Sequence, residues 1–149
     1  MIQRATANRR PSLVSEIMTA PVHTIGGNAS ARDASEHMRK ERLRHLVVVD
    51  EASRTIGLVS DRDIRAAEPS LLLVRDAAMR ANALSLLRVR DVMKANPHVI
   101  RPGDTIRSAL VTMKRYKVGS LPVVDDGQRV VGILTGFDIL DLTLRLLAE

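Results

Sequence analysis

Two seven-residue stretches of this chain, Gly57-Leu58-Val59-Ser60-Asp61-Arg62-Asp63 and Gly132-Ile133-Leu134-Thr135-Gly136-Phe137-Asp138, set a glycine, a hydroxyl and a carboxylate at the same spacing. A hydroxyl followed three residues later by an acid has the spacing of a capping box, in which the two side chains satisfy free N–H groups at a helix start. The same junction of strand and helix also presents hydroxyl, carboxylate and N–H groups together at the mouth of a cleft. An ionised carboxylate there repels phosphate, but it accepts two hydrogen bonds from a vicinal diol, as an acidic residue does for ribose in dinucleotide folds. The motif therefore fits a helix cap and a nucleoside site equally in kind, while Gly57 and Gly132 fit a strand bend.

Other chemistries are poorly served. The absence of cysteine excludes disulfides, thiolate metal sites and a cysteine nucleophile, and it agrees with a reducing compartment. His23 and His98 hold equivalent positions but lack a third ligand at a recognisable spacing, so no metal is expected. With no nucleophile elbow, phosphate loop or histidine–carboxylate pattern, an enzyme is not expected and no cofactor is required. The net charge of +6 rests mostly on arginine, and an excess of guanidinium groups invites a polyanion, either nucleotide phosphate or nucleic acid. Tyr116 and Phe137 are the only aromatic rings of the Phe, Trp and Tyr class, too few to stack a single strand.

The motif is doubled because the chain is doubled. Shifted by 75 residues (89 − 14 = 75), Val14 meets Val89, Met18 meets Met93, His23 meets His98, Leu46 meets Leu121, Asp50 meets Asp125, Gly57 meets Gly132 and Asp63 meets Asp138, without a gap. Each copy begins with a short β-prone piece, "VHTI" or "HVI", and a helix-start signal at Ser30 or Thr105. A helix with an apolar stripe follows, through Ala31, Ala34 and Met38 or Ile106, Ala109 and Met113, the methionines serving as core filler. "HLVVVD" and "SLPVVD" are continuous apolar strands, which short turns connect to "TIGLVS" and "VVGILT" as hairpins. A second helix is expected from Asp61 and from Gly136. The expected fold is α+β: two β-α-β-β-α repeats about a pseudo-twofold axis, since one unit of about 50 residues has little core of its own.

The expected boundaries are a basic tail at 1–12, repeat 1 at 13–66, a helical linker at 67–88 and repeat 2 with a C-terminal helix at 89–149. In the linker, Ser70 is expected to cap a helix running through Leu73, Ala77, Ala81 and Leu84, in one piece or two. The C-terminal "DILDLTLRLLAE" is apolar nearly all round, which predicts a homodimer through these helices. The start of the chain carries arginines without an apolar h-region, and no run approaches a membrane span, so a cytoplasmic protein with no membrane association is expected.

The tandem units, the "SEIMTAP" and "RDVMKANP" openings, the "RHLVVVD" and "GSLPVVD" strands and the repeated Gly-x-x-Ser/Thr-x-x-Asp resemble a pair of CBS domains, a Bateman module, over roughly 13–147. The segment after "SDRDIRAAEPS" further resembles stand-alone CBS proteins of the acetoin-utilisation type. The resemblance implies a non-enzymatic regulatory module binding AMP, ADP or ATP, with S-adenosylmethionine or NAD behind them, in clefts between the repeats. It implies that Asp63 and Asp138 take ribose hydroxyls, with Ser60 and Thr135 beside ribose or phosphate. The base facing Asp63 would lie against Lys94, Pro97, His98, Val99, Val118 and Leu121; the base facing Asp138 would lie against Thr19, Val22, His23, Thr24, Leu43 and Leu46. Arg44 and His45 in one repeat, and Lys117, Gly119 and Ser120 in the other, are placed to meet phosphate, with the Asp63 side holding charge better through Arg44 and His45. Output would pass through a change of conformation or assembly, to an effector protein that the sequence does not name. A basic nucleic-acid-binding protein and a purely structural dimerisation module with degenerate pockets are the alternative expectations.

Overall fold

The computed structural model describes residues 9–148, so most of the basic tail at 1–12 lies outside the described residues. After a single helical turn at Val14–Glu16 the elements run β1 (Thr24–Gly26), α1 (Ala31–Glu41), β2 (His45–Val49), β3 (Thr55–Ser60), α2 (Asp61–Ala67), α3 (Ala77–Leu86), α4 (Val89–Val92), β4 (Lys94–Ala95), α5 (Ile106–Tyr116), β5 (Ser120–Val124), β6 (Val130–Thr135) and α6 (Gly136–Leu147). Local chemistry sets the helix ends. Ser30 Oγ accepts from Asp33 N–H at 3.0 Å to open α1, and Thr105 Oγ1 accepts from Ser108 N–H at 3.1 Å to open α5. Both helices stop in the left-handed region, at Arg42 (φ 56°) and Lys117 (φ 53°), so each ends by presenting a cationic side chain.

The first sheet has the order β1-β2-β3-β4, with β1 parallel to β2 and the other pairs antiparallel. The second contains β5 and β6, flanked by single bridges, Ile100 parallel to Val123 and Thr19 antiparallel to Ile133. These bridges lie 75 residues from the β1–β2 and β3–β4 pairings, so the order is the same with shortened edges. "VHTI" thus becomes a strand while "HVI" gives one bridge. The cause is Pro122: Val47 N–H donates to the His23 carbonyl, but the proline at the equivalent position has no N–H to offer His98.

Each repeat is completed by the other's leading segment. Val14 and Ser15 donate backbone N–H bonds to Asp104 and Pro102, and Val14 and Ile17 join the core of Ile106, Ala109, Leu121, Val123 and Leu134. Reciprocally, Val89 and Arg90 donate to Ala29 and Gly27, and Val89 enters the core of Ala31, Ala34, Met38, Leu46 and Val59. A third cluster, Val47, Leu58 and Ile133, joins the two sheets. The hairpin tips close the pseudo-twofold: Thr55 N–H donates to the Gln128 carbonyl and Val130 N–H to that of Ser53, at 3.1 and 3.2 Å.

Three sequence expectations change. The linker helix begins at Ala77 under an Asp76 cap, whereas Ser70 heads a separate turn whose carbonyl accepts from Leu73 and Val74. Gly57 and Gly132 do more than mark bends, although each stands at the register shift of its hairpin, where Val48 pairs with Gly57 but Val49 with Thr55, and Val123 with Gly132 but Val124 with Val130. They leave room for Met93 and Met18 of the exchanged segments, whose sulfurs would lie 2.2 and 2.7 Å from an added Cβ. The last helix is not apolar to no purpose all round: Leu142 is buried and Ile139 and Leu146 pack on the core, which leaves Phe137, Leu140, Leu144 and Leu147 as one exposed stripe.

Candidate functional site

Two clefts open where strand meets helix, one at Ser60–Asp61 and one at Thr135–Gly136. The capping boxes expected at these junctions are present: Asp63 Oδ2 accepts from Ser60 N–H at 2.8 Å and Ser60 Oγ at 2.7 Å, and Asp138 Oδ2 accepts from Thr135 N–H at 2.7 Å and Thr135 Oγ1 at 2.9 Å. Capping and an open cleft coexist, because each carboxylate spends one oxygen on the cap. The second oxygens differ. Asp138 Oδ1 accepts from Thr19 Oγ1 at 2.8 Å, while the residue equivalent to Thr19 beside Asp63 is Lys94.

The Asp63 cleft, about 290 Å³, is lined by Ser60, Asp61, Arg62 and Asp63 from the α2 start, by Arg44, His45 and Leu58, by Lys94, and by Lys117, Val118, Gly119 and Ser120 from the other repeat. Each of its walls thus comes from a different segment, and Lys94 reaches it through the exchange that places β4 beside β3. The Asp138 cleft, about 340 Å³, is lined by Thr19, Arg42, Leu43, Arg44, His45, Ile133, Thr135 and Phe137; Asp138 itself, bonded to Thr19 and Thr135, stands behind this lining rather than in it. Arg44 and His45 therefore face both clefts rather than the Asp63 side alone. The difference in charge arises instead at Lys94 against Thr19 and Arg62 against Phe137, with Asp61 against Gly136 opposing them, the last two pairs sitting in the variable middle of the seven-residue motif.

Of the other expected base-pocket residues, Leu46 and Leu121 are fully buried in the two cores, and His23 and His98 are engaged elsewhere. His23 Nδ1 lies 3.2 Å from His37 Nε2, and the His98 ring stacks on Tyr116 with centroids 3.7 Å apart. Val22, Thr24, Pro97 and Val99 stand outside the lining of either cleft. Arg42, Arg62 and Phe137 are lining residues that sequence reasoning passed over. Arg42 carried a usable signal, since it lies 75 residues before Lys117 and both follow a helix end. Among the described residues no group of three or more histidines and acids could hold a metal ion, and no helix is long and apolar enough to cross a membrane.

His45 is half-buried, and its pKa is lowered chiefly by that burial, with Lys94 and Arg44 adding to the effect against the opposing pull of Asp61 and Asp63. It is therefore a neutral hydrogen-bonding group at pH 7. Because the folded pKa lies below the unfolded one, the unfolded chain binds the proton first as pH falls. Stability is full above the usual histidine pKa and declines as the pH drops from there through the lowered folded value. Urea unfolding at stepped pH should show that decline setting in as the pH falls through the ordinary histidine pKa of about 6.5, and His45→Gln should flatten it. An equal slope in the variant would remove His45 as the cause.

A family model described as CBS domain matches residues 14–70 and again 89–145. A CBS domain-containing protein of Dictyostelium discoideum is 32% identical over 135 residues, covering 91% of this chain and 93% of that protein. Other relatives are much longer: the chain spans 22% of the L-aspartate semialdehyde sulfurtransferase of Methanocaldococcus jannaschii, at 31% identity over 86% of its own length. Among solved structures, an acetoin utilization protein from Vibrio cholerae, AcuB, superposes with a TM-score of 0.74 at 29% identity, covering 91% of this chain and 93% of that one. The CBS domain pair of protein MJ0100, in complex with 5′-methylthioadenosine and S-adenosyl-L-methionine, gives 0.74 at 28% identity, covering 90% and 97%. CBSX2 in complex with AMP gives 0.72 at 26%, covering 90% and 97%. With two family matches registered on the two halves of a 75-residue repeat, and each half finished by the other's leading segment, the chain belongs to the CBS domain family as a tandem pair.

Proposed function

We propose that this chain is a non-enzymatic regulatory module that binds adenosine-containing ligands of the AMP, ADP or ATP type in the clefts between its repeats. The observation that carries the reading is the composition of the Asp63 cleft. A capping carboxylate with one oxygen to spare stands opposite Lys117, Gly119 and Ser120 of the other repeat, with Arg62 and Lys94 beside it. In this reading the carboxylate takes the ribose diol, and the cations take phosphate. That MJ0100 and CBSX2 were solved with adenosyl ligands is consistent with it. A ligand that bridges both repeats alters how they sit together, and regulation follows from its unequal affinity for the two arrangements.

Thermal unfolding with AMP, ADP, ATP, S-adenosylmethionine and NAD tests the proposal. A ligand at a hundred times its Kd adds about 2.7 kcal/mol, a shift of several degrees in a chain of this size. Asp63→Asn, which keeps an acceptor for the cap, should lose most of that shift. No shift with any of the five would refute the reading and favour the basic nucleic-acid binder, which a steep dependence of DNA or RNA affinity on salt would then identify. An unchanged shift in both Asp63→Asn and Asp138→Asn would place the ligand elsewhere.

We further propose a homodimer through α6. Leu140, Leu144 and Leu147 are 50%, 57% and 79% exposed on one stripe, more apolar surface than an isolated helix face usually leaves in water. Light scattering at tens of micromolar should give twice the chain mass and Leu144→Glu should give a monomer; a monomeric wild type sinks the idea.

A further inference from the structure

Arg44 occupies a singular place between the clefts. Its backbone carbonyl accepts from Asp61 N–H at 3.0 Å, which fixes it at the start of α2 in the Asp63 cleft, while its guanidinium carbon lies 5.7 Å from the centre of the Phe137 ring on α6, in the Asp138 cleft. The equivalent position in the second repeat is Gly119, whose carbonyl makes the same 3.0 Å bond to Gly136 but which has no side chain to return the reach. Two clefts related by a pseudo-twofold thus share one arginine, whose guanidinium rests on the Phe137 side. His45 also lines both, but burial keeps it neutral.

The clefts are unequal without it. The Asp63 cleft retains three cations, Arg62, Lys94 and Lys117, beside the carboxylates of Asp61 and Asp63, whereas the Asp138 cleft retains Arg42 alone and no lining carboxylate. Both oxygens of Asp138 are already engaged, by Thr135 and by Thr19. We infer that Arg44 couples the two sites. A phosphate-bearing ligand in the Asp63 cleft draws the guanidinium off the Phe137 face, so that a chain with two clefts takes one such ligand. The second cleft, left with one cation and a satisfied carboxylate, is then suited to an uncharged nucleoside at most. This inference rests on the proposed reading of the clefts as adenosine-ligand sites.

Calorimetric titration of the full chain with ADP and with adenosine tests it. ADP should bind at one per chain. Arg44→Met should weaken ADP roughly tenfold or more, the loss of a charged hydrogen bond, while adenosine changes less than about twofold. Phe137→Leu, which frees the guanidinium from its ring, should tighten ADP by about two- to fivefold, the value of an exposed cation–π contact. Arg44 and Phe137 are both exposed, so the two variants should fold as the wild type does. Two ADP per chain of similar affinity would overturn the coupling, as would equal losses for ADP and adenosine in Arg44→Met or an unchanged ADP affinity in Phe137→Leu. Failure of the wild type to bind adenosine and ADP at all would instead overturn the reading of the clefts, and the coupling with it.

Discussion

Truncating Ile133 to alanine is expected to cost about 2–5 kcal/mol and to lower Tm by roughly 5–15 °C while unfolding remains a single transition. Ile133 is 7% exposed and packs with Val47 and Leu58 in the cluster that joins the sheets, and it also holds Thr19 through two backbone bonds of 2.9 and 3.0 Å. A cavity at that point has little means of collapsing, because β2, β3 and β6 converge on it and are held in two hairpins, β2 with β3 and β6 with β5. The expectation of one transition follows from the exchange of leading segments: neither half retains a complete core once the other opens. Calorimetry checks both parts. Two resolved transitions would mean that the halves are separable and that the exchanged segments contribute little.

Alanine at Gly57 should cost about 1–3 kcal/mol, the usual range for forcing extra volume into a packed site. The added Cβ would lie 2.2 Å from the Met93 sulfur and 3.2 Å from the Lys94 carbonyl, and a backbone carbonyl in a paired strand cannot retreat as a side chain can. Met93→Ala on the same chain should recover part of the loss by removing the sulfur, leaving the carbonyl contact as the remainder. Full additivity of the two substitutions would show that the clash is not with Met93. Gly132 faces Met18 and the Thr19 carbonyl in the same way, so the test can be repeated on the second half.

The 75-residue repeat, the helix caps at Ser30 and Thr105, the hairpins and the helix starts after Ser60 and Thr135 were all legible in the sequence, because each is a local pattern with a local cause. The exchange was not. Val14 and Val89 are the same residue at the same place in each copy, and an alignment of the copies is blind to which core a leading segment enters. The substitution of Val47 by Pro122 was visible as a departure, but its effect on the ladder emerges only when the His23 and His98 carbonyls are located. The shared position of Arg44 was hidden for a related reason: spacing assigns it to the strand it precedes, and only the closing of the two sheets brings it against Phe137. Leu46 and Leu121 look alike in sequence whether they line a pocket or fill a core, and burial alone decides.

The exchanged segments imply something about a chain half as long. One repeat made by itself would carry a leading segment with no place in its own interior and an interior with no leading segment to fill it. Two such half-length chains would finish each other by trading arms, in the manner of a domain-swapped pair. The contacts of Val14 with Asp104 and of Val89 with Ala29 would then run between molecules. In that light the stretch from Glu68 to Asp76 is the tether that turns an encounter between two molecules into a single folding event, and its closure entropy replaces the dependence on concentration that such a pair would suffer.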